Sequence, residues 1–124
     1  MAKLILQPEG SSLCGQCCVA MAAGISLRRA IEVMGHDGET QTSDVVVALR
    51  LLGLGCAPRL RRIARAKPVI PARAIVVIHR PSGESRSERA HWMYHHRGEI
   101  LDPGGRWPSG YANWRMTSYL EIYE

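Results

Sequence analysis

The chain has 124 residues, of which 46% are hydrophobic and 22% are charged, and its formal net charge is +5. This length predicts one domain, residues 1–124, that can bury a core without disulfides or metals. No apolar run approaches the roughly 18 residues of a membrane-spanning helix, and the apolar stretch at residues 4–6 is too short for a secretory signal. We therefore expect a cytoplasmic protein with no membrane association. Delivery as a secreted effector or toxin by a specialised route stays open.

Three helices are predicted in the first half of the chain, after a short strand over residues 3–6 and a polar loop. Small polar residues can cap the second and third helices, and glycines follow the ends of all three. The predicted helices are Cys14 to Gly24, residues 27–34 with Ser26 as the N-cap and Gly35 as the stop, and a third that is capped by Thr42 or Ser43 and continues through Leu52.

Strands are predicted in the second half. Residues 74–79 are β-branched and mostly apolar, which is typical of a buried strand. A polar loop over residues 81–89 precedes a hairpin over residues 91–102, and a last strand is predicted at residues 118–123. Because helices come first and strands follow, the sequence predicts an α+β fold with an antiparallel sheet.

The four cysteines are unevenly placed. Cys14, Cys17 and Cys18 lie within one and a half helical turns, and Cys56 stands alone. Adjacent cysteines in a helix point apart and do not form an ordinary disulfide. The pattern is unlike a secreted disulfide framework and favours a reducing compartment.

The segment from Arg59 to Lys67 carries much of the positive charge. Such a segment can attract nucleic acid or an acidic protein surface. It has no interleaved aromatic residues and no known nucleic-acid motif, so we interpret it as a solvated connector and consider nucleic-acid binding unlikely.

Cys14 begins the first predicted helix and is the candidate nucleophile. The N–H groups and the dipole at a helix N-terminus stabilise a thiolate, which is the reactive form of cysteine. Gly15 removes a side chain beside the sulfur, so that a substrate carbonyl can approach. A cysteine in such a helix is otherwise most often a buried structural residue.

The hairpin supplies a candidate base and the acid that orients it. With a two-residue turn at 96–97, His91 faces Asp102 directly. With the turn at 97–98, Asp102 faces Met93 and lies diagonal to His91. Both registers put the imidazole and the carboxylate on one face, where Asp102 can fix the tautomer of the ring. A three-residue turn would separate them.

Gln7, in the loop before the helix, is the candidate oxyanion-hole donor. Its side-chain amide can act together with the backbone N–H of Cys14. Gln16 is a competing amide, but it lies inside the helix and is expected to point away from the sulfur.

Together these residues resemble the papain-like cysteine peptidases, and most closely the bacteriocin-processing (double-glycine leader) peptidase family and its stand-alone relatives. The resemblance is carried by Gln7, Cys14-Gly15, Cys18, Ala20-Met21, His91-Trp92 and Asp102-Pro103. It implies a papain-like fold in which Cys14 is the nucleophile, His91 the base, Asp102 the orienting carboxylate and Gln7 the oxyanion-hole residue. A plain papain pattern, Cys-Gly-x-Cys, would instead make Cys17 the nucleophile.

The resemblance predicts a cysteine peptidase-like hydrolase that acts on a protein or peptide and needs no cofactor or metal. A glutamine deamidase or acyl-transfer effector on the same fold is the first alternative. The second is a non-catalytic metal- or nucleic-acid-binding module, since Cys14 and Cys17 have the spacing of half a zinc site. No second half follows, because His91 and His95 lie on a strand and not on a helical turn.

Overall fold

The computed structural model describes residues 3–80 and 90–123, and this part of the chain has the predicted α+β architecture. The predicted polar loop at residues 81–89 lies outside the described residues. The elements are α1 Cys14–Ala23, α2 Leu27–Met34, α3 Thr42–Leu51, β1 Arg61–Arg62, β2 Arg73–His79, β3 Ala90–His96, β4 Glu99–Leu101, a 3₁₀ turn Ser109–Tyr111, and β5 Arg115–Glu121. None of the described helices is long and apolar enough to cross a membrane.

The five strands form one antiparallel sheet in the order β1-β5-β2-β3-β4. Side chains alternate between its two faces. One face packs against the three helices through the main core, which includes Ile75, Tyr94 and Leu120. The other face carries a smaller core that includes Met93 and Tyr111. A strand such as β3 therefore presents residues to both cores.

The β3–β4 hairpin adopts the second of the two predicted registers. Arg97 and Gly98 form the turn with φ angles of 48° and 90°, and His96 pairs with Glu99. Positive φ at both central residues is the requirement of a tight type I′ turn. Continued past β4, this register brings Asp102 diagonal to His91 on the same face.

The capping residues and glycines in the sequence predicted most of the helix ends correctly. Ser26 caps α2 by accepting a hydrogen bond from the backbone N–H of Arg29 at 3.1 Å, and both Gly24 and Gly35 adopt left-handed conformations. The cap of α3 differs from the prediction. It is Gln41 instead of Thr42 or Ser43, because the Asp44 carboxylate accepts the Gln41 N–H at 3.0 Å and fixes the helix start one residue earlier.

The strand predictions at the two chain ends were partly wrong. Residues 3–6 form no strand, because Gln7 donates its backbone N–H to the carbonyl of Pro103 in a loop instead of to a sheet edge. The last strand is Arg115–Glu121 and not residues 118–123. Within the predicted basic connector, Arg61–Arg62 pairs with β5 as a short edge strand.

The loop between α2 and α3 is held tightly against the start of α1. Gln16 is fully buried, and its Nε2 donates to the carbonyls of His36 at 3.1 Å and Gly38 at 2.8 Å. Thr40 packs so closely against Gly15 that a Cβ at this glycine would overlap the Thr40 hydroxyl. Gly15 is therefore needed for the helix–loop contact, and Thr40 occupies part of the space that we expected to be open to substrate.

Gly15→Ala is expected to lower the free energy of unfolding by about 1–3 kcal/mol, because the new methyl group overpacks the contact with Thr40. Gly38→Ala is the matched control: a Cβ there meets nothing within 4 Å, and the change should stay within about 0.5 kcal/mol. Chemical denaturation measures both. Thr40→Ala removes the overlapping hydroxyl and should restore part of the stability of Gly15→Ala. Wild-type stability in Gly15→Ala would contradict the contact.

Candidate active site

Three structural elements bring the predicted residues together. Cys14 is the first residue of α1, His91 is near the start of β3, and Asp102 directly follows β4. His91 Nε2 lies 2.6 Å from Asp102 Oδ1, and Cys14 lines the same cleft as the ring. Because Nε2 is engaged by the carboxylate, Nδ1 is the ring nitrogen left for the sulfur. The structure thus pairs His91 with Asp102 and brings Cys14 into the same cleft as the ring.

The Asp102 carboxylate is almost entirely buried, with 4% of the residue exposed. Besides the ring, two backbone N–H groups donate to it at 2.8 Å, from Gly104 to Oδ1 and from Arg106 to Oδ2. Burial alone would raise the pKa of Asp102, but the hydrogen bonds from His91, Arg106 and Gly104 outweigh burial and lower that pKa to about 2. Asp102 is therefore an anion at neutral pH.

The His91 ring is enclosed but still reaches solvent, with 14% of its side chain exposed. It stacks on Tyr111 with 5.3 Å between ring centroids and an interplanar angle of 20°. Burial lowers the pKa of His91, but the Asp102 hydrogen bond and the Cys14 interaction raise it more, to about 9. The ring is an imidazolium at neutral pH and can stabilise a thiolate at Cys14.

Gln7 lies in the loop that precedes α1. It lines the same cleft as Cys14 and His91, and its Nε2 donates to the carbonyl of Ser11 at 2.7 Å. This hydrogen bond fixes the orientation of the Gln7 amide and leaves the second Nε2 hydrogen available for another acceptor. Gln16 is excluded as the donor, because its Nε2 is bound to the loop after α2.

Two clefts meet at His91. The smaller, about 200 Å³, contains Cys14, Thr40 and Trp92. The larger, about 710 Å³, shares Gln7 and His91 with it and is also lined by Arg106 and Trp114. A chain that crosses the sulfur can therefore continue past the imidazole into the larger cleft.

The other three cysteines are enclosed. Cys17 and Cys18 are fully buried in the helix core, and Cys56 is 3% exposed. Burial, with a smaller effect of the Cys14 charge, raises the pKa of Cys17 to about 12. Burial likewise raises the pKa of Cys18 and Cys56. Cys17, the nucleophile of the plain papain pattern, is therefore a poor thiolate source.

The residues that support the site had weak signals in the sequence. At Gly104, an added Cβ would lie 2.7 Å from the Tyr111 hydroxyl and 3.3 Å from Asp102 Oδ1, so the structure requires glycine there. The Asp-Pro-Gly-Gly run already indicated a turn there. Nothing in the sequence pointed to Tyr111 as the residue stacked on His91. Among residues 3–80 and 90–123, no group of three or more His, Cys, Asp or Glu side chains could hold a metal ion.

Comparison with known proteins provides no assignment. No family model matches the chain, and no curated protein sequence matches it significantly.

An alkylating reagent such as iodoacetamide should modify Cys14 alone in the folded protein at pH 7, since the other thiols are enclosed. His91→Ala should slow this modification about tenfold or more, because the imidazolium next to the sulfur is lost. Peptide mapping by mass spectrometry identifies the modified residue. Cys17→Ala is the control and should react at the wild-type rate. Preferential modification of Cys17 would indicate that Cys17, and not Cys14, is the nucleophile.

The protonated His91 ring should make folding stability depend on pH. Its folded pKa of about 9 lies above the ordinary 6.5, so its stabilisation is complete below about pH 6.5 and is lost as the pH rises through 9. The free energy of unfolding should fall over this range by an amount on the order of 3 kcal/mol at most. Chemical denaturation at pH 6 and pH 9.5 measures the change.

His91→Gln should remove most of this pH dependence, whereas His96→Gln, at the far end of β3, should retain it. The Asp102 carboxylate affects the free energy of unfolding at acidic pH instead. Because the pKa of Asp102 is depressed from 3.8 to about 2, its contribution is present above about pH 4 and is lost as the pH falls through 2. Equal pH dependence in wild type and His91→Gln would contradict the raised pKa of His91.

Proposed function

We propose that this protein is a cysteine peptidase-like hydrolase with a Cys14–His91–Asp102 triad and a papain-like fold. The observation that carries the proposal is the buried His91–Asp102 pair, 2.6 Å apart, whose ring also interacts with the thiol at the N-terminus of α1. A buried carboxylate that orients an imidazole beside a thiol is the arrangement that cysteine nucleophiles require. The proposed substrate is a protein or peptide.

In the proposed first step, Cys14 Sγ attacks the carbonyl carbon of the scissile amide and forms a C–S bond. The carbonyl electrons move to oxygen. The backbone N–H groups at the start of α1, which have no acceptor within the helix, and the Nε2 of Gln7 can donate to that oxyanion. When the C–N bond breaks, His91 gives its proton to the leaving amine, and a thioester on Cys14 remains.

In the second step, a water molecule attacks the thioester carbonyl while His91 accepts one of its protons. The C–S bond breaks, the acid product leaves, and the protonated ring again faces the Cys14 thiolate. Asp102 keeps the ring in one tautomer and stabilises its charged form throughout. The His91–Tyr111 stack restricts ring rotation and so keeps Nδ1 directed at the sulfur.

A papain-like organisation accounts for the element order. The helix that carries the thiol precedes the sheet that carries the imidazole and the carboxylate, and α1 packs on the sheet through residues such as Val19 and Tyr94. Small residues at Ala20 and Ala22 allow this close packing. The arrangement of a buried helix against an antiparallel sheet supports the papain-like part of the proposal.

Incubation with a capped peptide library and with denatured protein tests the reaction. New N- and C-termini, detected by mass spectrometry, are the expected result for a peptidase. Cys14→Ala should abolish the activity, whereas Cys56→Ala, at a buried cysteine of the main core, should keep it. Asp102→Asn should lower kcat about 10²- to 10⁴-fold, since it disturbs the tautomer and removes the anion that stabilises the imidazolium.

The same experiment distinguishes the deamidase alternative, because an acyl-enzyme formed from a glutamine side chain releases ammonia instead of an amine. A mass increase of about one unit at glutamine without new termini would identify a deamidase. If neither product forms and Cys14 is no more reactive than a free thiol, the proposed hydrolase function is wrong.

A further inference from the structure

The larger cleft beside His91 has an uneven distribution of charge. Two arginines, Arg80 and Arg106, line it, and Glu9 is the acidic side chain in its wall. Neither arginine has an ion pair with a carboxylate among residues 3–80 and 90–123. Both are exposed at the surface of the cleft. The described wall is therefore positively charged beside the proposed catalytic ring.

The two guanidinium groups are held against aromatic rings. The Arg80 guanidinium carbon lies 5.4 Å from the centroid of the Trp114 ring, and that of Arg106 lies 4.9 Å from the Tyr111 ring. These two rings contact each other edge to face at 5.1 Å. Stacking on an aromatic face restricts a guanidinium but leaves its N–H edge free to bind a carboxylate.

The larger cleft lies on one side of the scissile bond, as the positions of Cys14 and His91 indicate. The carbonyl under attack must lie at Cys14, in the smaller cleft. The leaving amine must lie at His91, which donates its proton, and the larger cleft continues from that ring. The part of the substrate that leaves first therefore extends along Arg80 and Arg106.

We propose that Arg80 and Arg106 form a subsite for a carboxylate on the leaving-group side of the scissile bond, so that the protein prefers substrates with Asp or Glu shortly after the cleaved bond. This inference rests on the proposed hydrolase function. The two arginines are specificity-determining residues: they bind the substrate away from the reacting atoms. Arg106 contributes through its side chain, while its backbone N–H supports Asp102 independently.

A capped peptide library digested by the wild-type protein tests the preference. Asp and Glu should be enriched among the first three residues after the cleaved bond, as read from product sequences by mass spectrometry. At the most enriched position, a Glu peptide should have a higher kcat/KM than its Gln counterpart, and 0.5 M NaCl should reduce the difference because exposed charges are screened.

Arg80→Gln and Arg106→Gln should each reduce the Glu-to-Gln ratio of kcat/KM about fivefold, the size expected of an exposed ion pair. Arg62→Gln is the matched control, because Arg62 lies on β1 at the opposite edge of the sheet from β4 and outside the cleft. An unchanged ratio in the double variant would overturn the inference.

Binding to the Cys14→Ala variant separates this inference from the proposed function. A fluorescent, capped peptide with a Glu in an otherwise neutral sequence should bind more tightly than its Gln counterpart, and Arg80→Gln with Arg106→Gln should remove the difference. If the wild type cleaves no peptide but this difference is present, the hydrolase function fails and the carboxylate subsite stands. If peptides are cleaved with no preference for acidic residues, the subsite fails and the hydrolase function stands.

Discussion

The Asp102 carboxylate is the group on which the rest of the site depends. A buried carboxylate stays ionised only if donors replace the water that it has lost. Here the donors are the His91 ring and the backbone N–H groups of Gly104 and Arg106. The backbone donors require residues 102–106 to turn back over the carboxylate. The same interaction that keeps Asp102 charged therefore sets the path of the loop beside the ring.

This loop links the proposed chemistry to the proposed substrate preference. The backbone of Arg106 donates to Asp102, while its side chain lies over the Tyr111 ring in the wall of the larger cleft. Tyr111 in turn stacks on His91. A change that moves the loop is expected to affect both the orientation of the imidazole and the position of the guanidinium.

Local signals predicted the elements that depend on neighbouring residues, and failed where distant pairing decides the structure. Ser26 and Gly35 bound α2 as predicted, since an N-cap and a left-handed stop act within one turn. The strand at residues 61–62 was missed because it exists only through pairing with β5. The strand expected at residues 3–6 is absent for the same reason: its apolar residues indicated a strand, but no sheet edge pairs with them.

The residues of the candidate site could be proposed from the sequence because a cysteine nucleophile requires particular side chains, whereas the groups that support these residues are mostly backbone atoms and contacts. Sequence alone could not indicate the donation from Gly104, the stack of Tyr111 or the contact of Thr40 with Gly15. Yet these supports determine what the side chains do. Because His91 carries its proton up to about pH 9, a thiolate at Cys14 would face a cation throughout the neutral range. The proton on the ring therefore depends on the loop that keeps Asp102 ionised.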